Sequence, residues 1–328
     1  MSVVTTGFFD GVHLGHRHVI ETVVSSARER GEEAIVVTFW PHPRTVLQQD
    51  ARDFRLLTSL EEKRTLLLAA GIDRVEVLPF TREFASMKAD EYLTLLRERF
   101  GATLVVMGYD NRIGSDRRLA EDICISQTVA SRPPKAALSP SYKAEDGHGF
   151  AKHKSLLPEI IIVKKCIFSE DASSVMPGTD RASQAIISST QIRKALEAGD
   201  IGLANAMLGY RYGLYGVVVA GNRLGRTIGF PTANMQLYEP LKLVPSNGVY
   251  AVDVEVLGRC FRGMCNIGIR PTVGGTVRTI ETHILDFDED IYGLPLQLRF
   301  LARIRDERRF PSLDALRNQL VADAAICR

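Results

Sequence analysis

The chain has 328 residues, enough for two domains, and a composition of 45% apolar and 24% charged residues, that of a globular protein able to bury a sizeable core. A net charge of +2 argues against general polyanion binding, so any phosphate site has to be local. No apolar run approaches a membrane span, the N-terminus lacks the features of a signal peptide, and the five cysteines include no Cys-x-x-Cys, which points to a cytoplasmic protein with reduced, packing thiols.

Residues 3–6 are a short apolar run that predicts a strand. Residues 17–30, with Val19, Ile20, Val23, Val24 and Ala27 on one face, predict a helix ended by Gly31. Between them, residues 7–16 read Gly-Phe-Phe-Asp-Gly-Val-His-Leu-Gly-His. Strand, glycine-containing turn and helix form the geometry that points backbone N–H groups at an anion, with Gly7, Phe8, Asp10 and Gly11 as candidate contacts. His13 and His16 flank Gly15, where two imidazoles could hydrogen-bond phosphate oxygens and offset the charge that develops during transfer. A metal-binding pair and a turn with incidental polar residues are the alternatives.

A buried-strand pattern follows at 34–39, then a helix around 60–70, a strand at 75–78, a helix near 89–100 and a strand at 103–107. This alternation predicts a parallel sheet covered on both faces, with ligands outside the carboxyl ends of its strands. The loop 38–44, Thr-Phe-Trp-Pro-His-Pro-Arg, is fixed by two prolines; His42 is either a contact or structural, and Phe39 or Trp40 could stack on a planar ligand. Residues 108–114, Gly-Tyr-Asp-Asn-Arg-Ile-Gly, suit a nucleotide edge through Asp110. All three motifs follow predicted strands, so they can converge.

From residue 115 to about 158 the pattern weakens into an irregular insertion, and order returns at 159–168. Residues 187–193, Ile-Ser-Ser-Thr-Gln-Ile-Arg, place Ser189 and Thr190 at a helix N-terminus with Arg193 on its first turn, a set that suits phosphate or an ordinary N-cap. Gly199 interrupts the helix expected at 192–198, and a second short helix covers 202–208.

Strand-like runs then appear at 214–220, 249–257, 262–267, 279–285 and 296–304, separated by turn residues, which predicts an antiparallel barrel or sandwich. A helix at 313–325, capped by Ser312, ends the chain. Residues 221–234 read Gly-Asn-Arg-Leu-Gly-Arg-Thr-Ile-Gly-Phe-Pro-Thr-Ala-Asn. Gly221, Gly225 and Gly229 let the backbone approach phosphates, with Arg226 and Pro231 in the same run, and Thr232 and Asn234 supply oxygens suited to Mg²⁺. The Gly-Lys-Ser/Thr ending of a Walker A loop is absent. Glu281 stands where apolar and polar residues alternate; it could accept a proton from an alcohol or be a surface glutamate.

With these motifs in place, the chain resembles the prokaryotic bifunctional riboflavin kinase/FMN adenylyltransferase family over nearly its whole length. Residues 7–16 match the adenylyltransferase signature, 38–44 its Pro-His-Pro loop and 187–193 its phosphate motif. Residues 229–234 match the kinase signature Gly-Phe-Pro-Thr-Ala-Asn, and 266–272 and 281–287 fall on further kinase motifs. Arg112-Ile113-Gly114 stands where the family has Arg-Phe-Gly, and 115–184 is longer than its usual spacing.

The resemblance implies an α/β, Rossmann-like nucleotidyltransferase domain with a parallel sheet over 1–200, carrying an atypical insertion around 115–158. A C-terminal antiparallel β-barrel riboflavin kinase domain with a terminal helix follows over 201–328. It implies ATP, riboflavin and FMN as substrates, Mg²⁺ as cofactor, Glu281 as catalytic base, and His13, His16, Ser189, Thr190 and Arg193 around the adenylyl transition state. Riboflavin becomes FMN, and FMN becomes FAD with release of pyrophosphate. Nucleic acid and membrane partners are not implied, and the oligomeric state stays open. Two alternatives stand beside this reading: a kinase whose adenylylation is weak or lost, and a non-enzymatic flavin-responsive binding protein, which would usually bring a DNA-binding helix pair or basic patch.

Overall fold

A computed structural model describes residues 1–47, 54–108, 111–119, 157–163, 167–168, 185–221, 224–272 and 275–328. By contact the chain forms two compact units: Met1–Phe9, His16–Arg52 and Arg64–Lys165 make the first, and Asp10–Gly15, Asp53–Lys63 and Cys166–Arg328 the second.

The first unit is built on β1 (Ser2–Thr6), β2 (Glu33–Trp40), β3 (Arg74–Pro79) and β4 (Ala102–Gly108), a small hairpin of β5 (Arg112–Ile113) and β6 (Arg118–Leu119), and β7 (Glu159–Val163). Except for the hairpin, these strands form a five-stranded parallel sheet in the order β3-β2-β1-β4-β7. Every residue of β1 is buried, as expected of a central strand covered on both faces. The helices in this part of the sequence are α1 (Leu14–Arg30), α2 (Pro43–Leu47), α3 (Leu60–Ala69), α4 (Arg82–Ser86) and α5 (Ala89–Phe100). α5 begins with Asp90 and Glu91, carries Arg97 and Arg99 in its last turn, and stops at Gly101 in the left-handed region (φ 67°), so its charges follow the helix dipole. Its Leu93, Leu96 and Phe100 pack with Val4, Ile35 and Val105 of the sheet.

In the second unit come two short strands, β8 (Ile167–Phe168) and β9 (Ala185–Ile186), and the helices α6 (Ser189–Ala198) and α7 (Ile201–Leu208). Gly199 and Gly209 end them with φ of 80° and 73°. The strands β10 (Gly213–Val219), β11 (Ala233–Leu237), β12 (Gly248–Val256), β13 (Arg259–Thr272), β14 (Gly275–Ile284) and β15 (Pro295–Arg305) close an antiparallel barrel in the order β10-β11-β14-β13-β12-β15. The alternative of a sandwich is thereby set aside. Alternate residues of each strand fill the barrel: Tyr250, Val252 and Val254 of β12 and Leu296, Leu298 and Phe300 of β15 are 0% exposed. Leu57, Ile192, Leu196 and Leu208 belong to the same core.

A short helix, α8 (Leu224–Thr227), stands in the glycine-rich segment, and α9 (Leu313–Cys327) ends the chain. Ser312 caps α9, its Oγ accepting the Ala315 N–H at 3.2 Å. This helix covers outward-facing Val249, Ala251 and Met264, which explains why the outer barrel face is apolar there. Cys265 and Cys327 are buried, as packing thiols should be, but Cys260 lies exposed on β13; all three are free. No helix among the described residues is long and apolar enough to cross a membrane.

Candidate active sites

The turn after β1 is strained. Phe9 and Val12 have φ of 50° and 38°, with Gly11 at 84° between them. A β-branched residue rarely adopts such a conformation unless its surroundings enforce it. Asp10 and Gly11 group with the second unit and are held within it. Asp10, 3% exposed, accepts the N–H groups of Leu57 (3.0 Å) and Thr58 (3.1 Å). Gly11 donates its N–H to Thr58 Oγ1 at 3.1 Å and accepts from the Tyr210 hydroxyl at 2.7 Å.

Ser189 Oγ donates to the Asp10 carbonyl at 2.9 Å, and Arg193 forms an ion pair with the Asp10 carboxylate. Arg193 also donates from Nε to the Arg55 carbonyl at 2.8 Å, with its guanidinium over the Phe54 ring. Asp10, Ser189 and Arg193 therefore meet across a long stretch of sequence. Thr190 is exposed on the first turn of α6, while Ser188 is the residue that caps the helix, accepting from the Gln191 N–H at 3.3 Å.

His13 is 5% exposed, and burial pushes its pKa down to about 4, with a backbone hydrogen bond opposing the shift and the Arg193 charge adding to it. The imidazole is neutral at pH 7. A Cβ on Gly15 would come within 3.2 Å of His13 Nδ1, a reason for glycine inside His-x-Gly-His. Lys63 is fully buried; burial lowers its pKa to about 8, opposed by the Asp10 charge.

In the first unit, the Phe8 and His42 rings meet edge to face at 3.9 Å, and His42 Nδ1 accepts the Arg44 N–H at 3.0 Å, which leaves the proton of a neutral ring on Nε2. His16 lies on the first turn of α1, its ring 5.2 Å from that of Phe9. A cavity of about 480 Å³ opens beyond the ends of β1 and β2, lined by Thr6, Gly7, Phe39, Phe80, Phe84, Tyr92 and Asn111 among others. It lies at the switch point of the sheet, where neighbouring strands β1 and β4 lead off in opposite directions. Phe84 packs against Phe39, Phe80 and Tyr92 at 5.3, 5.7 and 5.6 Å. The expected contact Asp110 and the core of the expected insertion lie outside the described residues.

On the barrel, strand register sets Asn234 and Asn266 directly opposite Glu281, one on each side. Cross-strand partners share a face, so the three form a polar row on the outside of the wall, while Ile280, Thr282 and Ile284 point inward. Glu281, Asn266, Thr232, Gly225, Arg305 and Arg308 line a cavity of about 600 Å³ bounded by Leu316 and Leu320 of α9. A second cavity of about 250 Å³ is lined by Arg226, Pro231, Phe287, Asp290 and Tyr292. Thr232 lines both.

Close approach explains two glycines: a Cβ on Gly221 would lie 2.1 Å from Asn234 Nδ2, and one on Gly225 2.1 Å from the Phe230 carbonyl oxygen. Gly229 needs its φ of 84°. Pro231 holds the His283 ring through its carbonyl at 2.8 Å.

Two family models match the two ends of the chain. A riboflavin kinase family model matches residues 208–328, and an FAD synthetase family model matches residues 1–130. The bifunctional riboflavin kinase/FMN adenylyltransferase of Bacillus subtilis (strain 168) is 33% identical over 325 residues, spanning 98% of this chain and 90% of that protein. The chain belongs to the bifunctional riboflavin kinase/FMN adenylyltransferase family. The family member of Escherichia coli (strain K12) is 34% identical over 328 residues, spanning 99% of this chain and 91% of that protein. A crystal structure described as a macrolide-efflux protein from Streptococcus pneumoniae matches with a TM-score of 0.82 and 32% identity, covering 100% of this chain and 93% of that one.

A family member that handles ATP needs charge compensation at the phosphates. Among the described residues no cluster of three or more His, Cys, Asp or Glu side chains could hold a metal alone. Thr232, Asn234 and the neighbouring Glu281 offer two neutral oxygens and one carboxylate, a set that fits Mg²⁺ carried mainly by water and substrate phosphates. Sequence reasoning missed Arg305 and Arg308, which follow no motif, and the Phe80–Phe84–Tyr92 cluster, whose members have no diagnostic spacing. Phe80 and Phe84 just before the predicted helix at 89–100, with Tyr92 inside it, were the available signal.

Proposed function

We propose that residues 201–328 transfer the γ-phosphoryl group of ATP to the 5′-hydroxyl of riboflavin, and that the motif set within residues 1–200 adenylylates the resulting FMN to FAD, releasing pyrophosphate. The observation that carries the kinase assignment is the row Asn234–Glu281–Asn266 beside Thr232, on the wall of a cavity large enough for a flavin. Glu281 accepts the hydroxyl proton. Thr232 and Asn234 would hold Mg²⁺, which when bound neutralises phosphate charge. Arg305 and Arg308 supply positive charge on the same wall. Phosphoryl transfer depends mainly on positioning and electrostatics, so this equipment is sufficient.

For adenylylation, the N–H groups at the start of α6, Ser189, Thr190 and Arg193 bind phosphate oxygens. His13, neutral at pH 7, and His16 stand at the same phosphates. Asp10 works through Arg193, because a carboxylate filled by two backbone amides and a guanidinium has no reason to approach a phosphate. Phe39, Phe80, Phe84 and Tyr92 form the surface on which the flat flavin ring packs. A cytoplasmic setting, with ATP and reduced thiols, goes with this reading.

Incubation of the protein with riboflavin, ATP and Mg²⁺, with the flavins separated over time, tests it. FMN should appear first and then convert to FAD. FMN that accumulates even when supplied directly would leave a kinase alone.

A further inference from the structure

Asp323, on the last turns of α9, is 0% exposed. Arg305 Nε donates to both its oxygens, at 2.9 and 3.2 Å, Arg305 Nη2 lies 2.7 Å from Oδ2, and Gln319 Nε2 donates to Oδ1 at 2.6 Å. Stability alone does not call for this pair. A buried ion pair is often matched or surpassed by apolar residues of similar volume, and α9 already docks through Leu320, Ala324 and Cys327. What the pair does fix is the orientation of Arg305. Its Nη1 donates to the Asp306 carbonyl at 3.0 Å, and the guanidinium lies 5.6 Å from the Phe310 ring. Held in this way, Arg305 lines the cavity together with Glu281 and Asn266.

We propose that Asp323 is a positioning residue of the kinase site: it fixes the Arg305 guanidinium on the cavity wall for the phosphoryl group, which makes α9 part of the catalytic apparatus. The proposal rests on the riboflavin kinase reading. Wild-type full-length enzyme that makes no FMN would remove that reading itself, whatever the variants do.

The test measures kcat and KM for FMN formation, with thermal unfolding, in Asp323→Asn, Asp323→Glu, Arg305→Lys and the double variant Asp323→Asn/Arg305→Lys. Asp323→Asn should lower kcat at least roughly tenfold with little change in the KM for riboflavin, because misorientation is felt mainly in the transition state. Asp323→Glu should recover most of the rate. The double variant should be no slower than Arg305→Lys alone, since Asp323 acts through that side chain. Independent, multiplying losses would overturn the proposal, as would wild-type kcat in Asp323→Asn or no recovery with glutamate. Loss of the barrel's unfolding transition in Asp323→Asn would assign the residue to stability and overturn it equally.

Discussion

The Arg193–Asp10 pair joins two motifs that lie 183 residues apart in the chain. It is also nearly sealed from solvent, with side chains 14% and 4% exposed, so screening by water is small and the geometry is well held. Asp10→Asn keeps the acceptor shape but removes the charge. FAD formation from supplied FMN should fall by about ten- to a hundredfold in kcat while FMN formation stays unchanged. An unchanged rate in a flavin-separation assay would detach Asp10 from adenylylation. His13 makes a second prediction. Its folded pKa of about 4 lies below the ordinary 6.5, so the unfolded chain takes up a proton first as pH falls. The stability it contributes is complete above pH 6.5 and is lost progressively down to pH 4, on the order of 3 kcal/mol in all. Melting curves across that window should show a steeper loss for the wild type than for His13→Gln.

Helices and strands with a clear period were legible to within a few residues. The helix expected at 89–100 is α5, Ala89–Phe100, and the helix expected at 17–30 only begins earlier, at Leu14, because the turn before it leads directly into its first N–H groups. β11 was not legible. Ala233–Leu237 overlaps the Pro-Thr-Ala-Asn motif, whose residue types suit a loop; it becomes a strand because β10 and β14 offer it partners on both sides. α2 and α4, of five residues each, are too short to show a period. Of the elements, α9 lends itself best to a direct test. Removing its cap in Ser312→Ala should cost about 1 kcal/mol of barrel stability, read from denaturant unfolding. Because Leu316 and Leu320 line the larger barrel cavity, the KM for riboflavin should rise with it. Normal stability together with a normal KM would mean that the cap contributes nothing.

At the scale of the molecule, the two proposed residue sets are separate, so the two chemistries should fail separately. Glu281→Gln should abolish FMN formation and leave FAD formation from supplied FMN, whereas His16→Ala should lower FAD formation alone. Loss of both activities in either folded variant would contradict independent sites. The sequence by itself determined the family and the order of α/β and β-barrel parts, because glycine turns, helix starts and strand periods are local properties of the chain. Only the tertiary structure decided that Asp10 faces Arg193, that Asn234, Glu281 and Asn266 form one row, that aromatic residues from separate elements share a cavity, and that residues 10–15 and 53–63 group by contact with the barrel. Each of those is a pairing between distant residues, set by strand register and by the demand that buried charges and amides find partners, and no local pattern records it.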